Sequence, residues 1–286
     1  MMELAAKSSL LPDRKGMFLG LVSLGLFLYA YHDTFLWLVE RYDNPDSHYS
    51  HGYLIPFICG YLVWLKRKDL AELPRSSSRL GLALIVGALL VHVASVWTHT
   101  FFTSGFSIMT LAIGLCLYLY GPAITRQLAF PLGFLAFMFP LPMRVISAVS
   151  FPLKMMVANM GTAIMERSGM PIVREGAVIH LTNATLSVGD PCSGIRSLIA
   201  LMAMGALFAY LLRGSFTRKL LIFLLAVPVA IATNVLRVCT LIFVADKLGG
   251  EWASPEHWFH TTSGLAVFFV SMAILFGIMR VLERPE

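Results

Sequence analysis

Three short groups of polar residues interrupt an otherwise apolar chain, and each contains a side chain able to take part in covalent chemistry. The first, GDPCSGIRSL at 189–198, contains Cys192; the second, NVLR, ends at Arg237; the third, EHWFHTTSG at 256–264, contains His260. Covalent acyl transfer uses this set of groups: a thiolate nucleophile, an imidazole that moves a proton near neutral pH, and a cation for developing negative charge. If the three meet in the fold, they predict a cysteine-based acyl-transfer site.

Cys192 comes just before an apolar run, at the predicted start of a helix. Gly194 and Ser193 follow it, and Arg196 lies four residues on, where a helix would place it on the same face. A helix N-terminus and a nearby guanidinium both lower the pKa of a thiol, which favours a nucleophile. The alternative is that Cys-Ser-Gly only lets two helices approach closely, as small residues commonly do in membranes.

Asn234 and Arg237 lie within a long apolar segment that begins near Leu220. Intramembrane charge is costly, so such residues usually face a bundle interior or a cavity and mark function. At about 1.5 Å per residue, Arg237 lies roughly 25 Å along the helix, at the same end as Cys192. The alternatives are that Arg237 extends to lipid headgroups and that His260 only caps its helix.

The composition identifies an integral membrane protein. Of the 286 residues, 57% are hydrophobic and only 13% charged, and the mean hydropathy is +0.75. The net charge of +6 is assigned to orientation and to contacts with membrane lipids, so nucleic-acid binding is not expected. No internal repeat or soluble domain is visible, and the whole chain, 1–286, is predicted to form one transmembrane domain.

The other three cysteines, Cys59, Cys116 and Cys239, lie inside apolar segments. They are predicted to act as small hydrophobic residues, and the four cysteines do not form a disulfide framework. The N-terminal apolar run follows Arg14 and Lys15 and ends without a small-residue cleavage site. It is therefore interpreted as an uncleaved first span rather than a signal peptide.

The fold class predicted is an all-α polytopic bundle of about eight transmembrane helices, since a span needs roughly 20 mostly apolar residues. The second and fifth segments are short enough to be partly re-entrant. The predicted spans are 16–39, 52–65, 80–97, 101–120, 127–142, 193–212, 220–245 and 262–282.

Orientation follows from the excess of Lys and Arg in cytoplasmic loops. With both termini inside, the three polar groups lie at the outer face. The inner side then receives most of the basic residues: Lys7, Arg14, Lys15, Lys66, Arg67, Lys68, Arg75, Arg79, Arg126, Arg213, Arg218, Lys219, Arg280 and Arg284.

The external segment 143–191 is inserted between the fifth and sixth spans. Residues 144–169 are predicted to form an interfacial helix, because Lys154 and Glu166 interrupt a possible span. Residues 173–188 alternate around a Thr-Asn turn and predict a short β-hairpin before the sixth span. The apolar stripe of the interfacial helix is Val149, Leu153, Met156, Met160 and Ile164.

The chain resembles the exosortase/archaeosortase family of membrane cysteine transpeptidases. The resemblance rests, in order, on YSHGYLIPF (Tyr49 to Phe57, with His51), DPCSGIRSL, NVLR and HTTSG. These motifs are weak singly and specific as a set, and they extend over most of the chain. The eight predicted spans also agree with the family's architecture.

The resemblance implies cleavage of a C-terminal sorting signal on exported proteins: a motif, typically Pro-Glu-Pro, then a hydrophobic helix and a basic tail. Family genes often lie beside exopolysaccharide genes. It assigns Cys192 as nucleophile of a thioester intermediate, Arg237 as charge stabiliser and His260 as general acid/base, the last favouring the bacterial branch. An active site at the periplasmic face of the inner membrane, with no cofactor and no metal, is expected. The expected supporting residues are Asn234, Arg196, Ser193, Gly194 and His51.

Two other functions remain open at this stage. The pairs His48-x-x-His51 and His257-x-x-His260 together offer four imidazoles to a metal such as zinc. Asn234 and Arg237, near Pro228, are also compatible with an anion path in a transporter. A metal site leaves Cys192 and Arg237 without a joint purpose, and a transporter would be expected to place its polar groups at the midplane rather than at one face.

Overall fold

The computed structural model describes residues 14–44, 47–189 and 194–283. This part of the chain is mostly α-helical. Its α-helices are α1 Arg14–Ala30, α2 His32–Asp43, α3 Leu54–Leu65, α4 Arg67–Glu72, α5 Arg79–Trp97, α6 Phe101–Leu119, α7 Pro122–Gln127, α8 Ala129–Phe134, α9 Met143–Arg167, α10 Ile195–Leu211, α11 Phe216–Leu248 and α12 Trp258–Leu282. Short 3₁₀ helices cover Ser50–Tyr53, Leu135–Met138 and Gly250–Ala253.

The ends of α3, α7 and α10 meet on one face of the bundle. The Nζ of Lys66, after α3, donates to the Gln127 carbonyl at 2.8 Å and lies 5.3 Å from the centre of the Tyr210 ring. The start of α11 and the end of α12 also lie together, because Arg218 at the start of α11 donates to the carbonyl of Leu282 at the end of α12. The opposite face, called the site face below, therefore contains the starts of α10 and α12 and the end of α11.

The basic residues gather where the charge pattern predicts. Lys66 and Arg218 both lie on the face opposite the site face, and Arg75 there lies over the Tyr120 ring at 5.9 Å. These three basic residues, which the charge pattern predicts to lie on the same side of the membrane, therefore lie on the same face of the bundle. Assignment of that side to the cytoplasm stays a prediction.

The number of spans differs from the prediction. In the described part of the chain, five helices are long and apolar enough to cross a membrane: α5, α6, α9, α11 and α12. A sixth results if α1 and α2, which are bent by 62°, form one broken span. The predicted spans 52–65, 127–142 and 193–212 correspond to shorter apolar helices, Ser50–Leu65, Ala129–Met138 and Ile195–Leu211. The protein is a multi-pass helical membrane protein, but its described residues contain five or six candidate spans rather than the predicted number of about eight.

A buried polar network stabilises the bend between α1 and α2. The bend interrupts the helix at Tyr31, and the Nε2 of His92 in α5 donates to the Ala30 carbonyl at 3.0 Å. The other ring nitrogen of His92 lies 2.8 Å from the Ser104 hydroxyl. Because a carbonyl only accepts, this geometry fixes the proton of a neutral His92 on Nε2. The hydrogen bond from His92 to the Ala30 carbonyl therefore stabilises the bend between α1 and α2.

Helix α9 is apolar enough to span despite Lys154 and Glu166, contrary to the expectation that these charges interrupt it. Both of its ends are nevertheless tied to the site face. Just before α9, the Leu141 N–H donates to the hydroxyl of Tyr49 at 3.2 Å. Near the end of α9, a Cβ on Gly161 would lie 2.8 Å from the Val238 side chain, in the last part of α11. The interfacial position of α9 stays a prediction that these contacts favour.

The segment after α9 forms three strands rather than the predicted two-stranded hairpin. Strands β1 Val173–Glu175, β2 Val178–His180 and β3 Thr185–Ser187 pair antiparallel in that order. The predicted Thr-Asn turn joins β2 to β3. The prediction missed the turn between β1 and β2, where Gly176 has φ +63 and allows a two-residue connection.

Candidate active site

Helix α11 buries the two polar residues that interrupt its apolar sequence. Asn234 is 2% exposed and Arg237 is 8% exposed, and both are one turn apart on the same face. A side chain that extended to lipid headgroups would be exposed at its charged end. The burial of Arg237 therefore argues against that alternative and for a role inside the bundle.

The guanidinium of Arg237 meets His260 at the start of α12. Its Nη2 donates to the His260 carbonyl at 3.1 Å and lies 3.4 Å from the ring Nε2. Ser263 donates to the same carbonyl at 2.8 Å. His260 itself is only 4% exposed. Two residues on consecutive helices, to both of which the resemblance assigns a catalytic role, thus lie in direct contact in a buried environment.

The histidine that caps α12 is His257 rather than His260. Its Nδ1 accepts from the Phe259 backbone N–H at 3.2 Å, and its ring lies 4.6 Å from that of Trp252. The cap satisfies one of the free amides at the helix start. His260 lies one turn farther in, so the alternative that it is only a capping residue does not fit the structure.

Gly264 provides the space for the guanidinium. A Cβ at this position would lie 3.1 Å from Nη2 and 3.3 Å from Cζ of Arg237. These distances are tighter than ordinary van der Waals contact. Gly264 is part of the HTTSG motif but was not among the predicted site residues; its position one helical turn after His260 is the feature of the sequence that places both on the same helix face.

A second buried contact fixes the register of α11 against α12 next to the site. Ser271 donates to the Thr233 hydroxyl at 2.7 Å, and Thr233 donates to the Val229 carbonyl at 2.8 Å. Ser271 is completely buried. Hydrogen bonds between helices hold one defined register in an apolar bundle, so this pair positions Arg237 opposite His260.

Gly194 joins the start of α10 to α11. It is the N-cap residue of α10, with φ +76, and it is buried. A Cβ on Gly194 would lie 2.5 Å from Nδ2 and 2.8 Å from Cγ of Asn234. The close-packing interpretation of Cys-Ser-Gly therefore holds for its glycine. The same contact brings the first turn of α10, with its free amides and positive dipole end, to the level of Asn234.

Cys192 and Ser193 lie outside the described residues. Arg196 is described and its side chain is exposed. The proposed link between Cys192 and Arg196 assumed a continuous helix from one to the other, but α10 begins at Ile195, after a left-handed Gly194. The four-residue helical spacing therefore does not apply, and that argument for a common face was wrong.

His51 lies on another element, the 3₁₀ helix Ser50–Tyr53. Its ring is stacked with that of Tyr49 at 5.8 Å. Burial lowers the pKa of His51 to about 4, and the backbone of Phe137 partly opposes this shift. Among the described residues, its Nε2 is buried without a hydrogen-bond partner. His51 therefore contacts Tyr49 and the backbone of Phe137, and these contacts do not include Arg237 or His260.

The two other functions gain no support from the described part of the chain. Within it, no three His, Cys, Asp or Glu side chains are grouped so as to hold a metal ion, and His257 serves as a helix cap. The buried polar groups Arg237 and His260 lie level with the start of α12 rather than halfway along it, as an anion path would favour. The prediction that the other cysteines act as buried hydrophobic residues is confirmed for Cys59, Cys116 and Cys239.

Comparison with known proteins agrees with these motifs. Residues 37–277 match the family model described as transmembrane exosortase. No curated protein and no solved structure matches the chain significantly. Because the family match covers most of the sequence and includes all four motifs, the chain belongs to the transmembrane exosortase family. Such proteins are membrane enzymes that sort exported proteins carrying sorting signals.

Proposed function

We propose that this exosortase is a cysteine transpeptidase that cleaves the C-terminal sorting signal of exported proteins through a thioester intermediate. The signal consists of a Pro-Glu-Pro-type motif, a hydrophobic helix and a basic tail. The observation that carries the proposal is the buried contact between Arg237 and His260. The whole chain acts as one catalytic domain, with the segment 143–191 and the active site at the periplasmic face of the inner membrane.

The nucleophile is Cys192, whose position in the sequence is two residues before Gly194. Gly194 is held against Asn234, three residues before Arg237. Because Cys192 comes so soon before Gly194 in the sequence, it is the cysteine that we propose as the nucleophile. The positive end of α10 and the charge of Arg237 both favour thiolate over thiol.

In the first half of the reaction, the Cys192 thiolate attacks the scissile carbonyl carbon. Negative charge develops on the carbonyl oxygen, and Arg237 stabilises it through directed N–H bonds. Neutral His260 takes the proton of the Cys192 thiol as the thiolate forms, and as the C–N bond breaks it gives that proton to the departing amine. The products are an acyl-enzyme thioester and the released hydrophobic tail.

In the second half, an acceptor carrying an N–H or O–H group attacks the thioester. His260, now neutral, takes the acceptor's proton, and the Cys192 thiolate leaves as the new bond forms. Water as acceptor gives hydrolysis, and an amine gives transpeptidation. The buried surroundings of Arg237 and His260 strengthen each electrostatic interaction in this cycle relative to bulk water.

The test is processing of an exported reporter that ends in such a signal. Cys192→Ala should abolish cleavage, and Cys192→Ser should be severely impaired because a hydroxyl is far less ionised than a thiol. The Cys239→Ala variant, which changes a cysteine of α11 that is free of a disulfide, is the matched control and should still cleave. Wild-type enzyme should also form a covalent adduct with the motif that hydroxylamine releases. Normal cleavage by Cys192→Ala would refute the assignment.

A further inference from the structure

A pocket of about 130 Å³ opens on the site face, away from the contact between Arg237 and His260. Its walls come from the end of α2, the loop before Ser50–Tyr53 and the start of α9. Its aromatic and apolar lining includes Trp37, Tyr49, Pro140 and Ile146. The polar groups on it include Arg41, Asn44 and His48.

Hydrogen bonds hold these walls in place. The buried Tyr49 accepts from the Leu141 backbone N–H, and the Tyr42 hydroxyl donates to the Met138 carbonyl at 2.6 Å. A Cβ on Gly52 would lie 2.5 Å from the Tyr42 ring. The YSHGY motif thus builds the pocket: Tyr49 forms a wall, His51 stacks on Tyr49, and Gly52 gives Tyr42 its space.

Among the described residues that line the pocket, Arg41 contributes a full positive charge. The Arg41 guanidinium lies 5.8 Å from the centre of the Trp37 ring, within the range of a cation–π interaction. Within the described part of the chain, Arg41 makes no recorded ion pair or side-chain hydrogen bond. No Asp or Glu is present among the described residues that line the pocket. A guanidinium in this setting is suited to binding a carboxylate through two parallel hydrogen bonds.

We propose that this pocket is the recognition subsite for the acidic residue of the sorting motif. Arg41 pairs with the carboxylate, while Trp37, Tyr49 and Pro140 contact the neighbouring prolines, since aromatic-lined grooves bind extended proline-containing segments well. The inference rests on the proposed function, because it assigns the peptide substrate of that reaction. It gives the YSHGY motif a role in specificity rather than in bond cleavage.

The first test compares Arg41→Gln with Arg144→Gln. Arg144 is exposed at the start of α9 and lies next to Met143, which lines the pocket, but it is outside the recorded lining. Arg41→Gln should lower kcat/KM for the reporter by about tenfold or more, mainly through KM, as expected for loss of a charged hydrogen bond. Arg144→Gln should stay near wild type.

The second test exchanges the charges. Arg41→Glu should process the normal motif poorly and should recover with a reporter whose motif glutamate is replaced by lysine. Reporter with glutamine in place of the glutamate should be a poor substrate for wild type and no worse for Arg41→Gln. If Arg41→Gln inserts poorly, Arg41→Lys with both reporters provides the same comparison, because Lys keeps the charge and loses the paired geometry.

The outcomes separate this inference from the proposed function. Equal processing by Arg41→Gln and Arg144→Gln, or equal preference for glutamate over glutamine in wild type and Arg41→Gln, would overturn the subsite while Cys192→Ala remained inactive. Continued cleavage by Cys192→Ala would overturn the reaction instead. A charge-exchanged pair that regains processing would establish the contact between Arg41 and the motif.

Discussion

Replacing Gly194 with alanine tests how tightly the start of α10 is held against α11. The new Cβ would lie 2.5 Å from Nδ2, 2.8 Å from Cγ and 3.2 Å from Cβ of Asn234. Ordinary contact begins near 3.4 Å, so the whole amide must move by most of an ångström, and Asn234 is only 2% exposed. The left-handed φ of +76 adds strain for any residue with a Cβ.

The two costs sum to a measurable loss. Left-handed strain contributes about 1–2 kcal/mol, and overpacking a buried contact contributes about 1–3 kcal/mol. A displacement of about 1 Å near the nucleophile reduces catalysis by roughly 10²-fold. We therefore expect Gly194→Ala to lower the unfolding temperature of the detergent-solubilised protein and to reduce reporter processing by about two orders of magnitude.

Controls separate the strain from the clash. Gly176 has φ +63, and a Cβ there would meet nothing within 4 Å, so Gly176→Ala carries the strain alone. Adding Asn234→Ala to Gly194→Ala removes the clashing amide and should restore part of the unfolding temperature. If Gly194→Ala loses no more stability or processing than Gly176→Ala, the close contact between α10 and α11 does not position the nucleophile.

Three further expectations follow from other contacts. Arg237→Lys should insert normally yet accumulate uncleaved reporter, with processing at matched enzyme level down about 10²–10³-fold, because Lys lacks the directed guanidinium donors; near-normal processing would remove Arg237 from the site. His92→Leu should lower the free energy of unfolding by about 1–3 kcal/mol, since the Ala30 carbonyl at the bend loses its donor, and an unchanged denaturation midpoint would contradict this. Burial lowers the pKa of His51 from 6.5 to about 4, so the unfolded chain binds a proton more readily and stability should fall as pH drops from about 6.5 towards 4. His51→Gln should flatten that pH dependence, and an equally steep fall in the variant would assign it to other groups.

The sequence predicted the meeting of Arg237 and His260 because two strong constraints act on them. Intramembrane charge must be buried or paired, and the alternation of apolar segments places the end of α11 beside the start of α12. These constraints need only approximate helix boundaries. The buried cysteines were predictable for a similar reason, since Cys59 and Cys239 are surrounded in sequence by apolar residues.

The predictions that failed depended on where helices begin and end. The link from Cys192 to Arg196 required a helix that starts before Gly194. Gly194 instead has a left-handed conformation and is the N-cap of α10, which begins at Ile195. The count of about eight spans included three apolar segments whose helices, Ser50–Leu65, Ala129–Met138 and Ile195–Leu211, are shorter than a full span. The extra strand depended on Gly176, whose positive φ is a local backbone property that hydrophobic alternation does not report.

Each recognisable motif pairs a polar side chain with a glycine that leaves it space. Gly194 faces Asn234, Gly264 faces Arg237, and Gly52 faces Tyr42, each at a distance that a Cβ would make too short. In an apolar bundle, a polar group is costly unless partners surround it closely. Closely approaching backbones supply those partners, as the His260 carbonyl does for Arg237. The glycines therefore allow the backbone to approach the polar side chain closely, and the polar side chain in turn holds the helices at that separation.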